Sequence, residues 1–269
     1  MRVALVQLRS SADAAANLAA IEAGIAEAAA QGARLVALPE NATLLAPAPL
    51  KRASAERLDG PTCQRLGVLA RRYQVWLNLA GFPERTDDPT RPANTSLLFA
   101  PDGLLVATYR KIHLFDLDLP ELSLRESAST TPGDRVTVHP VDGIPVGLAI
   151  CYDLRFPEMF RALVTRGARV LLIPSAFTVP TGKAHWEVLL RARAIENQCF
   201  VIAAAQSGSH PGSDRVSYGH GLAVDPWGRV LVDQGEGEGV AVVDLDFAEQ
   251  ARVRRGLPAL AHARYSDRS

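Results

Sequence analysis

The 269-residue chain carries 29 basic and 29 acidic residues, so its formal net charge is zero and nothing advertises a nucleic acid or an anionic membrane surface as partner. Hydrophobic residues make up 48%, ample for a core, yet no apolar run approaches the roughly 18 residues of a membrane span. The start, MRVALVQLRSSAD, turns polar too early for a secretory segment, and Cys63, Cys151 and Cys199 lack metal-ligand spacing, which points to a reduced, cytoplasmic setting.

The first predicted element is a helix in which Leu18, Ile21, Ile25 and Ala28 recur at helical spacing, with Gly32 where a C-terminal cap belongs. A short apolar strand, LVALPE, follows and ends in Glu40. Next come a helix within ERLDGPTCQRLGVLARRY, a strand, VWLNLAG, and a hairpin, NTSLLFAPDGLLVATYRK. The hairpin turns at Pro101-Asp102-Gly103 and ends in Lys111.

The order then recurs. The apolar run Val146 to Ile150 leads to Cys151 and to a helix with Pro157 in its first turn, where Phe156, Phe160 and Val164 share a face and Gly167 ends it. Its continuation, RGARVLLIPS, parallels QGARLVALPE of the first half. A helix in HWEVLLRARAIENQ, buried through Trp186, Leu189, Leu190 and Ala194, precedes a strand, CFVIAAAQSG. The hairpin YGHGLAVDPWGRVLVDQ, turning at Pro226-Trp227-Gly228, completes the second set. The tail from about Glu249, with Arg252, Arg254 and Arg255, reads as a surface helix and an extended end.

Two similar α/β halves rich in apolar strands predict two sheets packed on each other with helices outside: a four-layer α-β-β-α sandwich with an internal pseudo-two-fold repeat. No low-complexity linker divides the halves, so residues 1–269 are expected to form a single domain.

Three side chains stand at strand exits: Glu40, Lys111 and Cys151. Each alone is unremarkable, since charged residues at strand ends mostly face water and free cysteines are mostly small buried hydrophobes. If the halves pack as predicted, the exits converge on one edge. At a strand-to-helix turn Cys151 is expected to be exposed, with nearby helical N–H groups stabilising its thiolate. Cys63 and Cys199 keep the structural role. HLFDLDLPE offers a competing metal site from His113, Asp116, Asp118 and Glu121, although such polar clusters are more often loop decoration. A cysteine–histidine pair using His185 or His220 is a second competitor.

LPEN, YRKIHLFD and GLAICYDLRFPE, in that order, resemble the nitrilase superfamily of carbon–nitrogen hydrolases over nearly the whole chain. The resemblance implies the same sandwich, pairing into homodimers across the outer helices, and a Glu-Lys-Cys triad that needs neither metal nor organic cofactor. It implies Glu40 as general base, Cys151 as the nucleophile that forms a thioester, and Lys111 with the Tyr152 N–H as oxyanion donors. Glu126 matches a second glutamate that orients the substrate nitrogen and Lys111. PSAFT, AHWEVLLRARAIENQCFVIAAAQSG and SYGHGLAVDPWG resemble the branch that hydrolyses deaminated glutathione. The neighbouring ω-amidase branch usually carries cysteine where Asn41 stands. Arg155 is the candidate anchor for the carboxylate of a small amide substrate, against the alternative of a salt bridge to Asp153 or Glu158. Phe177 and Thr178 are expected to line the pocket, and the loop from Gln206 to Val216 to cover it.

Overall fold

Strands covered on both faces must be apolar throughout, and VALV of the first strand and LVAL of the second read that way. The computed structural model describes residues 1–119 and 122–264. The first half runs β1 (Arg2–Gln7), α1 (Ala14–Ala30), β2 (Leu35–Glu40), α2 (Ala48–Ala53), α3 (Pro61–Tyr73), β3 (Trp76–Glu84), β4 (Ala93–Phe99) and β5 (Leu105–Arg110), then a ribbon of β6 (Asp116–Leu119) and β7 (Leu122–Arg125). The second half runs β8 (Thr137–Val141), β9 (Ile144–Leu148), α4 (Pro157–Thr165), β10 (Val170–Leu172), α5 (Val179–Asn197) and β11 (Phe200–Ala203). A ribbon of β12 (Ser207–Ser209) and β13 (Val216–Tyr218) follows, then β14 (Leu222–Val224), β15 (Val230–Asp233), β16 (Gly239–Asp244), α6 (Phe247–Gly256) and α7 (Ala259–His262).

The strands form two six-stranded sheets, ordered β16-β1-β2-β3-β4-β5 and β8-β9-β10-β11-β14-β15. In each, three parallel neighbours are flanked by antiparallel partners: β1, β2 and β3 in one, β9, β10 and β11 in the other. The repeat read from the sequence therefore recurs strand for strand.

Alternation along the strands sorts the layers. Val3, Leu5, Leu35, Ala37 and Leu98 share one buried cluster with strands of the second sheet, including Val146, Leu148 and Val201. Ala4, Val6, Val36, Leu38, Leu77 and Leu79 point the other way, onto Ile21, Ile25 and Ala28 of α1 and Leu66, Leu69 and Ala70 of α3. Phe160 and Leu163 of α4 and Trp186, Leu190 and Ala194 of α5 pack against the second sheet. The four layers are those predicted. Among the described residues no helix is long and apolar enough to cross a membrane.

Some boundaries differ from expectation. The helix predicted from His185 begins at Val179, because Thr178 is extended and Pro180 sits in the first turn, where its missing N–H costs nothing. Leu189 is half-buried at the edge of that helix's inner face. Phe156 precedes α4 instead of lying within it. The stretch from Gln206 to Val216 is no open loop. Gln206 is buried, and the segment after it pairs back as the β12–β13 ribbon.

Candidate active site

Cys151 stands three residues past the end of β9. Its N–H donates to Pro174 O (3.1 Å), one rung beyond the end of β10. The chain then reverses through Cys151 itself, whose φ of +47° costs a non-glycine residue about 1–3 kcal/mol, into a 3-10 turn over Cys151–Arg155. Asp153 closes this turn by accepting from the Ile150 N–H (2.8 Å). The same buried carboxylate accepts from Tyr109 Oη (2.7 Å) and from the His113 N–H (3.2 Å). The exit of β5 is thereby tied to the turn that carries the cysteine, and Lys111 lies between the two tied residues.

Lys111 is buried, with 2% of its side chain exposed. Its Nζ donates to Glu40 Oε1 (3.1 Å) and Glu126 Oε2 (2.8 Å). Burial alone would lower its pKa, but the charges of Glu126 and Glu40 outweigh that and hold it well above the ordinary lysine value. Glu40 leaves the end of β2, where Gln206 Nε2 grips its carbonyl (3.1 Å), and its Oε2 accepts from the Ala176 N–H (3.2 Å). Glu126 heads a short 3-10 turn and also accepts from the Phe115 N–H (2.7 Å). Burial would raise the Glu126 pKa, yet the Lys111 charge and three hydrogen bonds bring it down to about 2.

Cys151 is 6% exposed, not open to solvent, and its thiol is not stabilised as thiolate. Burial, and next the charge of the Glu40 carboxylate, push its pKa well up; the Lys111 charge recovers only part. Predicting a thiolate from the turn ignored the carboxylate of the opposite sheet. Cys151 thus rests as a neutral thiol near a carboxylate. Cys63 and Cys199 are buried as well, with thiols pushed up to about 12 and about 11, chiefly by burial.

A small, narrow cavity opens beside the cysteine, lined by Cys151, Tyr152, Arg155, Phe177, Thr178 and Thr181 among others. Arg155 makes no salt bridge with Asp153 or Glu158 among the described residues. Its guanidinium lies over the Tyr152 and Phe177 rings (5.8 and 5.7 Å) and meets His185 Nδ1 at 3.3 Å. Asp153 cannot serve it, being spent on the turn. The Tyr152 N–H has no acceptor among the described residues, which leaves it free to donate to a bound oxygen. Thr178 Oγ1 is 2.8 Å from Thr181 Oγ1 at the head of α5.

Sequence reasoning missed Asn94, Thr181 and the backbone of Ala176. Asn94, buried at the start of β4, donates from one Nδ2 to both Glu40 Oε1 (2.8 Å) and Glu126 Oε1 (3.0 Å). In the sequence it was only the first polar residue of the hairpin NTSLLFAPDGLLVATYRK, with nothing to set it apart.

The competing sites dissolve into other tasks. His113 Nδ1 meets Asp153 Oδ1 (2.7 Å) and its ring stacks on Phe156, Asp116 accepts from Ser127, and Asp118 pairs with Arg125. Glu121 lies outside the described residues. Among those described, no three acidic, histidine or cysteine side chains gather as a metal would require. His220 pairs with Asp233 (2.9 Å) and His185 faces Arg155.

The sequence matches the carbon-nitrogen hydrolase family over residues 2–255. It is 42% identical to a deaminated glutathione amidase of Yersinia enterocolitica, over 98% of this chain and 93% of that protein. It is 38% identical to a human omega-amidase, over 98% and 95%. The structure superposes on the C. elegans NitFhit protein with a TM-score of 0.91 and 38% identity, covering 98% of this chain and 66% of that one, just under two thirds of its length.

Proposed function

The chain belongs to the carbon–nitrogen hydrolase family, and from that premise we propose a cysteine-dependent amidase that cleaves deaminated glutathione into 2-oxoglutarate and cysteinylglycine, a repair of a misprocessed metabolite. The observation that carries the chemistry is the meeting of a buried neutral thiol, a carboxylate and an ammonium at three strand exits. Glu40 takes the Cys151 proton, and the sulfur attacks the amide carbon. Charge gathers on the carbonyl oxygen, where the Lys111 ammonium and the Tyr152 N–H receive it. Glu40 then protonates the leaving amine, the C–N bond breaks, and a thioester remains on Cys151. Water enters, gives a proton to Glu40 and attacks the thioester; the acid leaves and the proton returns to sulfur. Glu126 and Asn94 hold Lys111 and Glu40 in place throughout.

The acyl half enters the cavity beside Cys151, with its carboxylate on Arg155 and its chain against Phe177 and Thr178. Support for this substrate comes from the resemblance to the Yersinia enterocolitica protein, and Asn41 in place of cysteine favours it over ω-amidase action on 2-oxoglutaramate. The proposed working form is a cytoplasmic homodimer, supported by the exposed apolar Val188 and Ile195 on the outer face of α5.

Purified protein given deaminated glutathione, 2-oxoglutaramate and a simple nitrile in parallel tests the assignment. Deaminated glutathione is expected to have the highest kcat/KM, and quenched samples to carry a 2-oxoglutaryl adduct on Cys151 by peptide mass spectrometry. Cys151→Ala is expected to lose at least a thousandfold in kcat. Full activity in that variant would end the mechanism, and a preference for 2-oxoglutaramate would move the chain to the ω-amidase branch.

A further inference from the structure

Asn41 follows Glu40 directly and is buried at a φ of +60°. It is wedged there by β3: its N–H donates to Ala80 O (2.8 Å), and Gly81, at a φ of +77°, passes so close that a Cβ would lie 2.1 Å from the Asn41 nitrogen. From this fixed position Asn41 Oδ1 accepts from Lys51 Nζ at 2.5 Å. Lys51 lies on α2, is half-buried, and forms no salt bridge with any described carboxylate. A partly buried ammonium whose hydrogen-bond partner is a neutral amide retains the capacity to pair with an anion. Arg215, ahead of β13, adds to the positive field around it, and Glu40, Glu126 and Lys111 are also within its electrostatic reach.

Lys51 is not among the residues that line the cavity holding Arg155. It is held instead by the residue next to Glu40, the carboxylate that in the proposed reaction meets the departing amine. Resting on the amidase function proposed above, we infer that Lys51 is a specificity-determining residue whose ammonium binds the glycine carboxylate of the departing cysteinylglycine. The two carboxylates of the substrate then fall to two cations at opposite ends, Arg155 for the acyl half and Lys51 for the leaving half. An amide that releases only ammonia has nothing to offer Lys51. Asn41, which separates the two family branches in the sequence, is also the residue that positions this cation.

The test uses release of 2-oxoglutarate from deaminated glutathione and from its analogue carrying a primary amide in place of the glycine carboxylate, with 2-oxoglutaramate as reference. In the wild type, masking the carboxylate is expected to lower kcat/KM roughly ten- to a hundredfold, chiefly through KM, because the glycine carboxylate takes no part in bond making or breaking and carries the same charge in ground and transition states. In Lys51→Met the two larger substrates are expected to differ by less than about twofold, and Lys51→Arg to restore most of the preference. A wild type that ignores the masking, or a Lys51→Met protein that still senses it, overturns the assignment. If Lys51→Met does not fold, the wild-type pair and Lys51→Arg decide. A wild type that cleaves 2-oxoglutaramate but not deaminated glutathione removes the proposed function, and this assignment falls with it; active cleavage without carboxylate preference removes this assignment alone.

Discussion

Asn94 sits between two carboxylates that share one ammonium, and its single Nδ2 serves both. Without it, Glu40 and Glu126 would face each other across Lys111 with less to hold them apart, while its own Oδ1 has no partner among the described residues. Hydrogen bonds to charged groups contribute about 1.5–3 kcal/mol each. Asn94→Ala is therefore expected to lower kcat ten- to a hundredfold with little change in KM, since the amide touches the machinery and not the proposed carboxylate anchors. Separate kcat and KM values on one amide substrate check this; activity within twofold of wild type would mean the bridge is idle. Asn94→Asp should be worse than Asn94→Ala, because it places a third acid where two already repel. Glu40, Lys111 and Cys151 were legible because each interrupts an apolar strand at its end. Asn94 was not, since it opens a strand among residues that are all buried, and only the fold brings it to Glu126.

Elements matter here through their exits. The ends of β2, β5 and β9 come from two sheets, and the turn after β9 is locked to the exit of β5 by one carboxylate, Asp153, fully buried and accepting from Ile150, Tyr109 and His113. Asp153→Ala would strand two backbone N–H groups and a phenol in a dry site, at about 1–3 kcal/mol for each left unpaired. A loss of at least about 3 kcal/mol in unfolding free energy, measured by urea denaturation, is expected, together with loss of turnover in whatever folds. A change below 1 kcal/mol would show that the turn stands without its pin. From the sequence Asp153 was weighed only as a partner for Arg155, its real contacts coming from the distant exit of β5 and from Ile150 beside it. The repeat itself was legible, because helix, glycine, apolar strand and proline recur with the same spacing. The start of α5 and the ribbon after Gln206 were not, since Pro180 and the pairing of Ser207 with Tyr218 act through three-dimensional context.

At the scale of the whole molecule, a charged cluster is enclosed between the two halves, and stability must follow its protonation. Glu126 has a pKa of about 2 in the fold against an ordinary 4.5, so the unfolded chain binds its proton first as the solution is acidified. A depressed carboxylate contributes stability that is present above about pH 4.5 and is lost as pH falls through about 2. The shift corresponds to about 3 kcal/mol, of the order of a large part of a domain's net stability. Asp88, Asp116, Asp142 and Asp244 are also held low, by partners nearer the surface, and they add to the same acid limb. A subtraction isolates the buried contribution: Glu126→Gln leaves those four untouched. At pH 7 the variant is expected to be less stable than wild type, having stripped Lys111 of its closest acid. Between pH 4.5 and 2 that gap should close, because the wild type loses the same contact by protonation. Unfolding free energies of both proteins across this range, from denaturant titrations, supply the test. A gap that stays constant with pH would mean that Glu126 acts through packing alone and that its charge on Lys111 contributes nothing to stability.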